Sequence, residues 1–260
     1  MQDLTLTLVQ SSLNWHDAVA NREMFTQKLQ IMAGTTDLVV LPEMFTTGFT
    51  MDAQAYAEPV DGPSVAWMAE QAAHLDAVVT GSLIVEDQGR YFNRLIWMRP
   101  DGSFEHYDKR HLFRMADEHL HYTAGEQRLI VELAGWRICP LVCYDLRFPV
   151  WCRNRDDFDL LVFVANWPKR RGHHWCSLLP ARAIENLSCV AAVNRVGKDG
   201  NGIDYAGDSM AIDAQGRTLA HLAHVEAIQT VRFPAQDLVA YRERFPANRD
   251  ADDFALIERQ

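Results

Sequence analysis

Trp136-Arg137-Ile138-Cys139-Pro140-Leu141-Val142-Cys143-Tyr144-Asp145-Leu146-Arg147-Phe148-Pro149 joins two patterns without a gap. Trp136 to Val142 is short and largely apolar, as a strand buried on both faces must be, and the residues after Cys143 predict a helix from about Phe148. The same unit recurs downstream: a buried strand over 160–165, a helix over about 174–186 and a strand over 188–194. It also recurs upstream. Leu4, Leu6 and Leu8 alternate with Thr5 and Thr7 as in a strand, and Asp17 can cap a helix presenting Val19, Phe25, Leu29 and Met32. The apolar run over 37–41 then ends at Pro42, just before Glu43.

Between these repeats the pattern changes. Ser64 is a plausible N-cap for a helix with Val65, Met68, Ala72 and Leu75 on one face, and extended segments follow over 77–85, 91–98, 104–107 and 129–133. Strands over 205–212 and 218–222 flank the turn Asp213-Ala214-Gln215-Gly216, another covers 225–232, and Pro234 can start a helix ending near Arg244. Helical crossovers give parallel pairing and hairpins give antiparallel pairing, so the sheets are expected to be mixed. About twelve strands exceed one comfortable open sheet, which leaves two packed sheets with helices outside. No linker, repeat or low-complexity segment divides the chain, so residues 1–260 read as a single domain.

The 260 residues are 48% hydrophobic, enough to fill a core and to exclude intrinsic disorder. A formal net charge of −10 disfavours nucleic acid and anionic lipid as partners. No apolar stretch approaches the roughly 20 residues of a membrane span. Met1-Gln2-Asp3 does not resemble the start of a signal peptide, so a cytoplasmic protein is expected. Five cysteines without framework-like spacing are expected to be reduced thiols.

Reduced thiols direct attention to Cys143, which stands where a buried strand meets a helix start. Free amides there would lower a thiol pKa and offer donors to an oxyanion. Cys139, Cys152, Cys176 and Cys189 read as small buried hydrophobes. None of the ten histidines is marked as the cysteine's base. Glu43 and Lys109 occupy positions like that of Cys143, each directly after a strand, and strand ends converge on one edge of a sandwich. His173-His174 and His119 with His121 lack metal-ligand spacing, so no metal is expected.

Leu41-Pro42-Glu43, Tyr107-Asp108-Lys109-Arg110-His111-Leu112-Phe113 and Cys143-Tyr144-Asp145-Leu146-Arg147-Phe148-Pro149 resemble the three catalytic blocks of the nitrilase (carbon–nitrogen hydrolase) superfamily. Their spacings of 66 and 34 residues match its order. Asn166-Trp167-Pro168 and Ala181-Arg182-Ala183-Ile184-Glu185-Asn186 resemble two further blocks, so the similarity covers nearly the whole chain. The resemblance implies an α/β fold, a four-layer αββα sandwich of two mixed sheets, usually working as a homodimer, with no cofactor. It implies a Glu43, Lys109 and Cys143 triad, Glu118 as a second glutamate, and the Tyr144 backbone N–H as an oxyanion donor.

Met44-Phe45-Thr46-Thr47-Gly48-Phe49 and Asn166-Trp167-Pro168 are most similar to the bacterial ω-amidases of that superfamily. The implied reaction hydrolyses the terminal amide of 2-oxoglutaramate, or of a related dicarboxylic monoamide, to the acid and ammonia through a cysteine thioester. N-carbamoyl amino acid hydrolysis and general aliphatic amide hydrolysis use the same triad, and an inactive interaction protein could keep the fold. Phe45, Phe113, Trp167, Lys169 and Arg170 are the candidate substrate-binding residues. Trp167 fits core packing nearly as well. Arg147 fits either a carboxylate binder or a structural ion pair, and Lys169-Arg170-Arg171 fits either a solvated basic face or a carboxylate site.

Overall fold

The computed structural model describes residues 1–30 and 32–256. Two mixed sheets share one plan, in which three parallel strands lie between antiparallel ones. The first sheet orders Ala227–Phe233, Leu4–Gln10, Leu38–Val40, Val78–Asp87, Arg90–Met98 and Phe104–Asp108. Its parallel members are Leu4–Gln10, Leu38–Val40 and the start of Val78–Asp87. The second sheet orders Thr218–Leu222, Ser209–Ile212, Cys189–Asn194, Leu160–Ala165, Trp136–Val142 and Val131–Leu133, with Trp136–Val142, Leu160–Ala165 and Cys189–Asn194 parallel.

The period-two pattern decides which face goes where. Leu4, Leu6, Leu8, Leu38 and Val40 join Ile138, Val142, Leu160 and Val162 in the core between the sheets. Val9, Val39 and Leu41 point the other way, onto helices Ala18–Leu29 and Pro63–Leu75 through Phe25, Leu29, Met68 and Leu75. Helices Gly172–Asn186 and Ala235–Arg244 supply Trp175, Leu179, Ala183 and Leu238 to the core of the second sheet. The result is the four-layer αββα sandwich. Asp17 caps the first helix as expected, its side chain accepting from the Ala20 N–H at 2.9 Å. At the second, Pro63 occupies the first turn and Gly62 is the cap; the Ser64 N–H donates to Glu58 instead.

Two further sequence expectations change. No α-helix follows Cys143; residues Cys143–Arg147 form a 3₁₀ turn, and the chain then turns through Cys152. The Asp145 carboxylate folds back onto the Val142 N–H at 3.1 Å and holds this turn tight. The strand expected over 205–212 is two. Asp204–Ala206 pairs with Val196–Lys198, Ser209–Ile212 joins the second sheet, and between them Gly207 and Asp208 both take left-handed backbone. A side chain on Gly207 would lie 2.3 Å from the Gln10 carboxamide, so glycine is required there.

Candidate active site

The chain leaves four strands on one edge of the sandwich, and each exit delivers a polar residue. Leu38–Val40 leads to Glu43, Phe104–Asp108 to Lys109, Trp136–Val142 to Cys143 and Leu160–Ala165 to Asn166. Glu43 and Glu118 are fully buried and Lys109 is 1% exposed. The Lys109 ammonium donates to Glu43 Oε1 at 2.9 Å and to both oxygens of Glu118 at 2.9 and 3.0 Å. Asn93 Nδ2 donates to Glu43 Oε1 at 2.8 Å and reaches Glu118 Oε1 at 3.3 Å, and the Phe113 N–H donates to Glu118 Oε2 at 2.5 Å. From the second sheet, the Asn166 N–H donates to Glu43 Oε2 at 2.8 Å and Asn166 Nδ2 donates to the Glu43 carbonyl at 2.6 Å. The Lys109 Nζ also lies 5.1 Å from the Phe49 ring centre.

Three of these residues stand at or beside left-handed backbone that side chains disfavour. Cys143 itself has φ 43°, Met44 after Glu43 has φ 43°, and Asp117 before Glu118 has φ 57°. Such conformations cost on the order of 1–3 kcal/mol each and persist only where neighbours enforce them. Around Cys143 the enforcing network is visible. Buried Asp145 accepts from the Tyr107 hydroxyl at 2.8 Å, the His111 N–H at 3.0 Å and the Val142 N–H at 3.1 Å, and His111 Nδ1 lies 2.8 Å from it. Tyr107 and His111 flank Lys109, while Val142 and Asp145 flank Cys143. One carboxylate therefore fixes the lysine loop against the cysteine turn.

The electrostatics follow from burial and from the two carboxylates. Burial works against the Lys109 charge, but Glu118 and Glu43 more than offset it, and the net shift is upward. Lys109 is an ammonium throughout the neutral range. Burial raises the Glu118 pKa, and Glu43 adds to the rise while Lys109 opposes it. Burial pushes the Cys143 thiol well above the ordinary thiol range, Glu43 pushes it further, and Lys109 pulls it back only in part. This reverses the expectation of a thiol acidified by helix amides: the turn is a short 3₁₀ segment, and desolvation beside a carboxylate outweighs its N–H groups.

Cys143, Lys109 and Asn166 line a cavity of about 500 Å³. Tyr144, Phe113, Trp167 and Arg170 line it too, as the sequence suggested, and so do Arg147 and Arg171. Trp167 also packs on Trp175 with ring centres 5.5 Å apart, so packing and cavity lining coincide. Two candidates do not reach the cavity. Phe45 is fully buried against Phe25 and Trp67, on the helix side of the first sheet, beyond the left-handed turn at Met44. Lys169 is exposed at the start of the 3₁₀ turn Lys169–Arg171, outside the cavity wall.

Asn93, Asn166 and Asp145 were not assigned roles from sequence. Asn93 could have been suspected, because Asn93-Arg94 interrupts an otherwise apolar buried strand. Among the described residues no group of three or more His, Cys, Asp or Glu side chains is placed to hold a metal ion, and no helix is long and apolar enough to cross a membrane. All five cysteines are free.

The buried Glu–Lys–Glu cluster beside a cysteine on a strained turn, carried on an αββα sandwich, has the layout that the carbon–nitrogen hydrolase resemblance implies. Residues 5–243 match the carbon–nitrogen hydrolase family, and the chain belongs to that family. It is 50% identical to the omega-amidase YafV of Escherichia coli K12, covering 98% of this chain and all of that protein. The 2-oxoglutaramate amidase of Bacillus subtilis strain 168 is 36% identical over 82% of this chain and 84% of its own. In solved structures, XC1258 of Xanthomonas campestris, a CN-hydrolase superfamily protein with an arsenic adduct in its active site, superposes with a TM-score of 0.97 at 53% identity. That match covers 98% of this chain and all of the other.

Proposed function

We propose that the protein is an ω-amidase that hydrolyses the terminal amide of 2-oxoglutaramate or a related dicarboxylic monoamide, with Cys143 as nucleophile. The observation that carries this reading is the Lys109 ammonium held 2.9 Å from both Glu43 and Glu118 in the wall that presents Cys143. A carbonyl oxygen acquiring negative charge meets a fixed cation there, in a site whose low dielectric strengthens the attraction.

The thiol proton passes to Glu43 as sulfur attacks the amide carbon, so a thiol with a raised pKa need not ionise beforehand. The Lys109 ammonium and the Tyr144 backbone N–H stabilise the resulting oxyanion. Glu43 then delivers its proton to the nitrogen, the carbon–nitrogen bond breaks, and ammonia leaves behind a thioester. Glu43 next takes a proton from water, the hydroxide adds to the thioester carbon, and the thiol departs with that proton restored. Glu118 orients Lys109 and accepts from the substrate N–H groups.

Rapid-quench intact mass spectrometry tests the intermediate. Wild-type protein quenched within milliseconds of mixing with 2-oxoglutaramate should carry the mass of substrate less ammonia on Cys143. Modification of Cys139 or Cys152 in its place would assign the wrong nucleophile. We further infer a cytoplasmic homodimer, in keeping with the five free thiols. Sedimentation at micromolar concentration tests the assembly, and a monomer would overturn it.

A further inference from the structure

Residues 199–203 close a hairpin that belongs to neither main sheet. Its strands Val196–Lys198 and Asp204–Ala206 form a separate two-stranded sheet, and Asn201, Ile203 and Tyr205 line the cavity that contains Cys143. Ile203 directly precedes the second strand and stands two residues from Tyr205, which puts the two on one face; Asn201 is at the tip. Burial deepens along this line: Asn201 is exposed, Ile203 half-buried and Tyr205 5% exposed. The lining face therefore runs from the cavity mouth inward. At its inner end Tyr205 is bridged to Pro168, two residues beyond Asn166. None of these hairpin residues has a part in the chemistry assigned above.

Asp199-Gly200-Asn201-Gly202 is the kind of turn that glycine leaves loose, yet here one side chain fixes it. Asp199 is 7% exposed, and its Oδ1 accepts from the Asn201 and Ile203 N–H groups at 2.9 Å each, while its Oδ2 accepts from the Tyr205 hydroxyl at 2.9 Å. All three lining residues thus hang on one carboxylate. The flank is pinned as well. A Cβ on Gly200 would lie 2.3 Å from the Trp15 indole, so that ring rests directly on the backbone of the tip. On the other side of Tyr205, the fully buried Arg195 guanidinium lies 4.8 Å from the ring centre.

A rigid wall beside a reacting carbon measures what lies against it. Among the described residues Ile203 is the one branched aliphatic side chain that lines the cavity. It offers no hydrogen bond, so what it can recognise is the hydrocarbon part of a substrate. We infer that Ile203, held in place by Asp199, sets the length of acyl chain that the cavity accepts: methylene groups pack against it, and a chain one carbon too long collides with it. Ile203 is then a specificity-determining residue and Asp199 a positioning residue that acts through it. The inference rests on the amidase reading above and adds to it the feature that selects among monoamides of different length. One methylene more or less in an apolar pocket changes kcat/KM by about 10- to 200-fold, which is the scale of the effect expected.

The test is a length series of unbranched monoamides, succinamate, glutaramate and adipamate, assayed by ammonia release with wild type, Ile203→Ala, Ile203→Phe and Asp199→Ala. Ile203→Ala should raise the adipamate-to-glutaramate ratio of kcat/KM about 10-fold, and Ile203→Phe should raise the succinamate-to-glutaramate ratio by about the same factor. Shifts in opposite directions separate a ruler from damage, because a distorted site would lower all three substrates together. Ile203→Val, one methyl smaller, should move as Ile203→Ala does by a smaller factor, and it covers a failure of the larger changes to fold. Asp199→Ala should draw the three values together without moving the preference, since a loosened tip no longer discriminates. Ratios that stay fixed in the Ile203 variants, or that move the same way in Ile203→Ala and Ile203→Phe, would overturn the ruler and leave the amidase reading intact. A wild-type protein that hydrolyses none of the three, nor 2-oxoglutaramate, would overturn the amidase reading and the ruler with it.

Discussion

The Asn166 backbone N–H donates to Glu43 Oε2 at 2.8 Å, a bond that crosses from the second sheet to the first. Glu43 and Lys109 arrive on strands of one sheet, Cys143 and Asn166 on strands of the other. The reacting groups meet only because the two sheets pack in one register. Asn166 also donates its side chain to the Glu43 carbonyl at 2.6 Å, so it holds both ends of the residue we assign as base.

Replacing Asn166 by alanine removes the side-chain anchor and keeps the backbone one. Glu43 should then sample positions displaced from the thiol. Displacements of about 1 Å can cost on the order of 100-fold in rate, so kcat should fall by about that factor with KM little changed. Asn166→Asp should be worse, because a second carboxylate would face Glu43 in a dry site. Steady-state kinetics on 2-oxoglutaramate decide it; a rise in KM at constant kcat would make Asn166 a substrate contact instead.

Cys143 pairs its chemistry with a backbone that glycine would prefer. Cys143→Ala removes the nucleophile but keeps the left-handed strain at φ 43°, whereas Cys143→Gly removes both. Both variants should be inactive, and Cys143→Gly should be the more stable of the two by about 1 kcal/mol in urea unfolding. Measurable turnover in either would end the assignment of the nucleophile. A less stable Cys143→Gly would mean that the surroundings, and not the strain, dominate there.

The thiol gives a pH prediction with an unusual sign. Burial raises its pKa first and the Glu43 charge second, while Lys109 lowers it. Glu43→Gln removes a raising contribution and keeps the lowering one, so the thiol becomes more acidic as turnover is lost. The rate of Cys143 alkylation by iodoacetamide, followed from pH 6 to 10 by intact mass, should therefore rise at lower pH in Glu43→Gln than in wild type. A profile that stays put or moves to higher pH would show that the Glu43 charge does not act on the sulfur.

Much of this site was legible because its residues sit where periodic patterns stop. Glu43 and Cys143 each follow an apolar run and Lys109 follows an extended segment, and such ends are visible in a single sequence. The parts that were not legible depend on direction. Phe45 lies two residues from Glu43, yet its side chain points to the helix layer, a choice that the turn at Met44 makes. The helix expected after Cys143 fails because Asp145 spends its carboxylate on Val142 in its own turn and on Tyr107 and His111, and the last two lie 38 and 34 positions away, where they leave no local trace. Asn93 and Asn166 are single polar residues whose partners lie 50 and 123 positions away in sequence. The fold itself depended on the alternation Leu4, Leu6 and Leu8 and on the recurring strand–helix unit, both of which survive in the structure.

Glu118 is fully buried, and each polar group that contacts it is a donor: the Lys109 ammonium, the Asn93 carboxamide N–H₂ and the Phe113 N–H. A glutamine there has one oxygen and one N–H₂ to place among donors only. Whichever way it turns, N–H₂ faces another donor, and Lys109 loses half of its counter-charge. Leaving a buried cation short of a partner costs about 3–5 kcal/mol when a pair is broken outright. Glu118→Gln should therefore lower stability by about 3 kcal/mol in urea unfolding and cut kcat on the order of 100-fold or more through misplacement of Lys109. Small alkylating reagents should still reach Cys143, because the cavity wall is otherwise intact. Turnover within a factor of about two of wild type, the size of an ordinary surface change, would show that Glu118 neither positions Lys109 nor receives the substrate N–H groups.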